Sequence, residues 1–459
     1  MTRATFEAVD HLDGTVLDTY LVSTRHDVAA AVVEARRTGV DWAATDLTRR
    51  VRVLRAWRGT LWRSATELAG LLHSESGIGF DEAMLEVVQS VEHLRWVETN
   101  AARVLGSTTQ GAGLLSPEVA TRTSHEPHGV VSVLMAERSG LYAPASVLAA
   151  ALASGNSVVL QPAVGLTASL VAYVAALPDA ASLVQVLTGD ETTADLLAAT
   201  PVDQAYVVGS GATASRLASR CGHALVPTVV VPVDPPVTVV APDADVVAAA
   251  AAVARSVVSG SAALGDDWRP EVFVAPDVSG AFEQAVRGAL AEATAGSSDA
   301  LSALDRPKGP LARALGSRRR PGGTPQLAAI DTPLHERVVV HQHAEFGEVL
   351  ERLRARPYAH VSVFSRDRGQ RISEVLRASH VSINLGAVTT DGGLPRQALG
   401  ARGYGPVSGD AGLRGFTRAV TTASRRRLPL VGVPADLLLA TPAGRVAARL
   451  AMHLRHSLD

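Results

Sequence analysis

From residue 27 to residue 105, apolar positions recur at three- and four-residue intervals. Leu54, Trp57, Leu61 and Trp62 form one such series, and Met84, Val87, Val88, Val91 and Leu94 another, so the stretch predicts amphipathic helices. Asp27 is placed to cap a helix over 28–37, because a carboxylate accepts from the free N–H groups of a first turn. The tryptophans read as core or interface anchors. From Gly129 the period changes. Short apolar runs at 130–134, 157–160, 183–187 and 204–208 alternate with helical segments at 145–153, 166–176 and 192–199. Gly155-Asn156, Gly189-Asp190 and Gly209-Ser210-Gly211 punctuate them. Strands alternating with helices predict a parallel sheet covered on both faces.

A second α/β region runs from Val237 to about Leu413, with strands expected at 237–240, 272–274, 361–364 and 381–384. Between them, 296–325 is rich in Gly, Ser, Pro and Arg and reads as a surface excursion. The tail ends in an amphipathic pattern over 443–456, read as a docked C-terminal helix with a membrane-surface helix as the alternative. No internal repeat is present.

Composition narrows the classes. A chain of 459 residues, 47% hydrophobic, accommodates two or three domains with buried cores. The 43 basic and 45 acidic side chains nearly cancel, and aromatic residues make up only 4%. Neither a basic field nor a stacking platform is available to hold nucleic acid. The single cysteine, Cys221, excludes an internal disulfide and a Cys-rich metal site. The first residues lack the charged start and apolar core of a signal peptide, and the runs at 147–153 and 246–254 are too short to span a bilayer. The expectation is a soluble cytoplasmic protein without a membrane partner; high Ala and Arg with little Lys suggests a bacterial source.

Several segments then fall in a telling order. Glu126-Pro127-His128-Gly129-Val130-Val131, the run from Ala150 through Ser154-Gly155-Asn156 to Leu160, Val186-Leu187-Thr188-Gly189-Asp190, Val207-Val208-Gly209-Ser210, Pro242-Asp243-Ala244-Asp245, Glu345-Phe346-Gly347, Ser362-Val363-Phe364-Ser365-Arg366-Asp367 and Val381-Ser382-Ile383-Asn384 are colinear over roughly 40–425. Together they resemble the aldehyde dehydrogenase superfamily. The resemblance implies an α/β fold with a Rossmann-like cofactor-type domain (1–117 and 130–231) and a catalytic-type α/β domain (232–413). It also implies an oligomerisation arm (118–129, a hairpin, and 414–425) followed by a tail with a helix (426–459). In the family the arm pairs with another subunit. The expected partners are therefore a second copy of this chain, or an active aldehyde dehydrogenase or pathway enzyme in a hetero-oligomer.

The resemblance also shows what is missing. The family's reaction needs a thiolate nucleophile, amide donors for the oxyanion, a glutamate that activates water, and a nicotinamide cofactor. Counting back from Val272-Phe273-Val274, Asp266 stands at the cysteine position, followed by Asp267, and no cysteine lies nearby. Val231 stands at the glutamate position and Arg138 at the oxyanion asparagine. The lysine on the adenosine ribose becomes Gln161, and the second glycine of the phosphate turn becomes Ala214. Gly209, Ser210, Glu345 and Phe346 remain as candidate NAD or NADP contacts.

Two classes follow from this pattern. One is a degenerate member, without catalytic cysteine and glutamate, that serves as scaffold, partner subunit or ligand binder. The other is a repurposed non-redox enzyme (dehydratase, cyclase or hydrolase) in which Asp266, Asp267 and Arg138 share the old tunnel; a carboxylate pair can split its pKa values for acid–base work. An active oxidoreductase using Ser259 or Ser261 lacks a visible base. His341 and His343 share one strand face but show no third ligand, so no metal is expected.

Overall fold

The computed structural model describes residues 3–111, 119–136, 140–177, 183–209, 211–233, 235–264, 269–295, 338–342, 345–386, 392–398, 403–425 and 440–456. The chain opens on an antiparallel hairpin, β1 (Thr5–Val9) and β2 (Val16–Leu21), which the helical periodicity further along does not announce. Four helices follow: α1 (Arg25–Ala44), α2 (Leu47–Arg63), α3 (Ala65–Ser76) and α4 (Phe80–Leu105). Thr24, not Asp27, is the cap of α1. Asp27 closes a capping box by accepting from the Thr24 backbone N–H at 2.8 Å.

The apolar stripe of α2 is buried as its period requires. Leu54, Trp57 and Leu61 are fully enclosed, and Trp57 Nε1 donates to the Tyr173 carbonyl at 3.0 Å. Trp62, one position round the helix from Leu61, is instead 63% exposed and anchors no core in this chain.

After α4 come β3 (Thr108–Gly111) and β4 (Val119–Pro127). The described part of segment 118–129 thus holds one strand, Val119–Pro127, and not a hairpin. Its nine residues pair antiparallel with Thr417–Arg425 on one side, and four of them, 120–123, pair with β3 on the other. The short polar run Thr108–Gly111 has no apolar alternation to mark it, and only its neighbour makes it a strand.

The first sheet is built from β5 (Val130–Met135), α5 (Tyr142–Ala153), β6 (Ser157–Gln161), α6 (Thr167–Ala175), β7 (Val184–Val186), α7 (Glu191–Ala198), β8 (Gln204–Val208), α8 (Gly211–His223) and β9 (Thr228–Val231). Its order is β7-β6-β5-β8-β9, and every pairing is parallel. All residues of β5, β6 and β8 are buried, which explains their unbroken apolar runs. Asn156 fixes this sheet to its surroundings: its Oδ1 accepts from Gly129 N–H at 2.9 Å, and its Nδ2 donates to the carbonyls of Ala151 and Phe416. Buried Glu75 serves α6, whose own cap residue, Leu166, offers no acceptor. The carboxylate takes the N–H groups of Ala168 and Ser169, both at 2.8 Å, and the Ser169 hydroxyl.

The second sheet follows from β10 (Val237–Val240), α9 (Val246–Leu264), β11 (Glu271–Val274), α10 (Ser279–Ala295), β12 (Val339–Gln342), α11 (Phe346–Ala355), β13 (Tyr358–Phe364), α12 (Gly369–Val375) and β14 (Ala378–Ile383). The order β12-β11-β10-β13-β14 is again all parallel. A small pair, β15 (Arg396–Ala398) and β16 (Gly405–Ser408), the short helix α13 (Gly409–Arg414), the arm strand β17 (Thr417–Arg425) and helix α14 (Pro442–His456) complete the described chain. The excursion at 296–325 lies outside the described residues. Helix α14 is seated through Gly444 and Ala448, while Val446 and Leu450 stay 63% and 62% exposed. Among the described residues no helix is long and apolar enough to cross a membrane.

Candidate ligand site at the carboxyl edge of the first sheet

In an open parallel sheet the strand order reverses direction at one point, and the crevice beyond the strands' carboxyl ends is where ligands bind. Here that point lies between β5 and β8. Its rim is Met135-Ala136 from β5, Gln161 from β6, Gly209 after β8 and Val231 from β9. Hydrogen bonds from Ala136 N–H to the Val208 carbonyl (2.8 Å) and from Gly209 N–H to the Val231 carbonyl (2.9 Å) fix the relative heights of these strand ends. Gly209 has φ +143°, which disfavours any side chain, and α8 begins two residues later, so its first turn starts at this edge.

Three positions singled out from the sequence, Gln161, Gly209 and Val231, therefore do meet on one edge. Gln161 is buried, and its amide nitrogen is turned onto the Pro162 carbonyl. Its Oε1 is enclosed without a partner, which leaves an acceptor aimed at no protein donor. Val231 is a buried apolar side chain in the core between helices and sheet. Ala214, buried on α8, fills the space a second glycine would leave open. Glu345 precedes α11 and is exposed, and Phe346 is half-buried against the second sheet's core. Arg138, Ser210, Asp266 and Asp267 lie outside the described residues, as does His343.

The structure adds two titratable groups that the pattern of apolar positions concealed. Glu86 and His93 sit seven residues apart on α4, so they lie on the same face of the helix. The Glu86 carboxylate accepts from the Tyr142 N–H at 2.7 Å, just beyond the carboxyl end of β5. Gly140 comes so close that a Cβ there would lie 2.9 Å from Glu86 Oε2. Burial, opposed by the Tyr142 N–H, pushes this carboxyl up to about 7. His93 is buried with Nδ1 unpartnered and its ring edge-on to Tyr142 at 5.9 Å. Burial and then the Arg396 charge lower its pKa to about 4. Two groups pushed in opposite directions on one helix face could have been found by asking which charged residues interrupt an apolar stripe.

Other polar clusters are structural in character. His360 and His380 are register partners on β13 and β14 and stack at 5.0 Å. His360 Nε2 lies 3.1 Å from Ser382 Oγ. Burial brings His360 down to about 3, too weak a base to activate that hydroxyl. His341 faces Glu271 at 3.2 Å and stacks on Phe273, and Arg356 also holds Glu271. Among the described residues no three His, Cys, Asp or Glu side chains group around a metal position. Cys221 is buried on α8, where burial raises the thiol pKa, so it is an unreactive core residue.

Comparison with known proteins agrees with this architecture. The model of the aldehyde dehydrogenase family matches residues 1–300, and the chain belongs to that family. A Mycobacterium ulcerans protein named as a succinate-semialdehyde dehydrogenase for NADP(+) is 26% identical over 469 residues, covering 92% of this chain and 90% of its own. An alpha-ketoglutarate semialdehyde dehydrogenase of Haloferax volcanii is 35% identical over 148 residues, 32% of this chain and 30% of its own. Among solved structures, the NADP-dependent glyceraldehyde-3-phosphate dehydrogenase of Bacillus halodurans, complexed with NADP, superposes with a TM-score of 0.74 at 20% identity, covering 92% of this chain and 96% of its own. The aldehyde dehydrogenase of Bacillus cereus in its NAD+ complex also gives 0.74, at 18% identity, over 92% and 93% of the two chains. At that identity the superpositions establish the fold: two Rossmann-like parallel sheets and an arm.

Proposed function

We propose that this member of the family does not oxidise aldehydes, and serves in the cytoplasm as a ligand-binding or partner subunit. The observation that carries this reading is Val231. At the end of β9, where the resemblance places the water-activating glutamate, stands a buried valine that can neither give nor take a proton. Asp266 at the cysteine position supplies a carboxylate, a far poorer nucleophile toward a carbonyl than a thiolate. Arg138 replaces the compact asparagine donor with a long cation. Each lost group is ordinarily worth orders of magnitude in rate, so their joint loss removes the reaction and does not merely tune it.

Nucleotide binding is a separate question. The orphaned Gln161 Oε1 fits a ribose hydroxyl, and the Gly209 turn with the α8 N-terminus fits a diphosphate. Glu345 would serve the second ribose. NAD or NADP, when bound, supplies a hydride acceptor; this chain's residues would bind and orient it. The test combines both questions. Purified protein is incubated with succinate semialdehyde and shorter aldehydes, with NAD or NADP, and reduced cofactor is followed. No accumulation above a protein-free control is expected, and steady turnover overturns the proposal. Co-purification with a complete dehydrogenase of the family supports the partner-subunit form; a strictly homo-oligomeric assembly supports the ligand-binding form.

The Glu86 and His93 pair favours a second reading, a repurposed non-redox enzyme. A carboxyl poised at about 7 at the crevice is a competent general acid or base near neutral pH. In that reading Asp266, Asp267 and Arg138 would complete the pocket.

A further inference from the structure

A cavity of about 450 Å³ opens at the opposite, amino-terminal edge of the first sheet, where the arm joins it. This volume lies within the range of roughly 300–1,000 Å³ typical of small-molecule sites. Its floor is Ser157, the first residue of β6, fully buried, with its Oγ unpartnered. Gly39 on α1 leaves room for that hydroxyl, since a Cβ there would lie 2.7 Å from Oγ. One wall is α1, with Arg36 and the 68% exposed Val40; the other is the arm root, with Pro127 and Arg418.

The polar groups around it are unevenly committed. Asp203 is fully engaged: both its oxygens accept from Arg36 Nη1, and Oδ2 also accepts from Val130 N–H. Glu126 is held by Arg418 Nη2 at 3.0 Å across the β4–β17 pair. Each guanidinium uses one nitrogen in its ion pair, while Asp203 has both oxygens engaged and Glu126 accepts at Oε2 alone. Among the described residues a cation finds at most one uncommitted carboxylate oxygen here, on Glu126, too few ligands to hold it. An acceptor-rich anion finds two forked donors and a buried hydroxyl, beside apolar surface from Val40, Ala43 and Pro127.

We propose that this cavity binds a small organic carboxylate with an apolar body, its carboxylate between Arg36 and Arg418 and its body against α1. Bound there, such a ligand ties the arm root to the sheet, far from the cofactor-type crevice. The site is independent of whether the chain oxidises aldehydes.

The test uses the whole protein and isothermal titration with benzoate and hexanoate, with benzyl alcohol and inorganic phosphate as controls. Saturable binding of the two carboxylates is expected, with the controls at least tenfold weaker. Arg418→Gln changes an exposed side chain and is expected to weaken benzoate binding tenfold or more. Ser157→Ala is expected to weaken it as well. Benzoate is also expected to slow amide exchange in 126–130 and 416–420. Absent binding, equal binding of phosphate or benzyl alcohol, or undiminished binding in Arg418→Gln overturns the proposal.

Discussion

Replacing Glu86 by glutamine isolates the electrostatic cost of the carboxyl beneath the crevice. The native carboxyl titrates at about 7 against 4.5 for the free group, and burial is the main cause. Below pH 4.5 the carboxyl is protonated in both folded and unfolded chains, so the difference contributes nothing. As pH rises toward 7, the unfolded chain ionises freely while the native state still holds the proton, and stability falls. Above 7 the native protein carries a half-buried charge, and the loss levels off at about 3 kcal/mol. Glutamine keeps an oxygen for the Tyr142 N–H but never ionises. The variant is therefore expected to match the wild type near about pH 4.5 and to exceed it by about 3 kcal/mol near about pH 8. Urea unfolding followed by tryptophan fluorescence at a series of pH values reads this directly, since Trp96 lies one turn from His93 on the same helix. A difference between variant and wild type that stays constant across the range would refute the shifted carboxyl, and with it the second functional reading.

His93 works in the other direction. Its native pKa of about 4 lies below the usual 6.5, so its contribution is complete above 6.5 and is lost as pH falls toward 4. His93→Gln should flatten the acid limb of a melting-temperature profile, and an unchanged limb would count against it. Trp57→Ala removes a fully buried ring and the bond to the Tyr173 carbonyl and should cost about 3–5 kcal/mol in urea unfolding. Cys221 should resist an aromatic disulfide reagent in the native protein and react fully in denaturant; rapid native labelling would contradict its burial.

The alternation of buried apolar runs with helical periods was enough to place β5, β6, β7 and β8 to within a residue or so, because strands covered on both faces must be apolar throughout, whereas β9 was not picked out. Family membership was equally legible from colinear turns such as Ser154-Gly155-Asn156, whose Asn156 ties its own helix end to Gly129 and Phe416. The same colinearity located Gln161, Gly209 and Val231 as positions that belong together, and the strand order brings them to one edge. Partner-dependent features were not legible. Thr108–Gly111 is a strand because β4 lies beside it, and Trp62 is exposed because α2 turns it outward. Glu86 and His93 look like ordinary polar residues on a helix until packing against α5 half-buries the first and encloses the second. The cavity floored by Ser157 joins α1, two arm strands and the starts of β5 and β6. Periodicity in a chain records how much of each residue is covered, and only the tertiary structure decides what covers it.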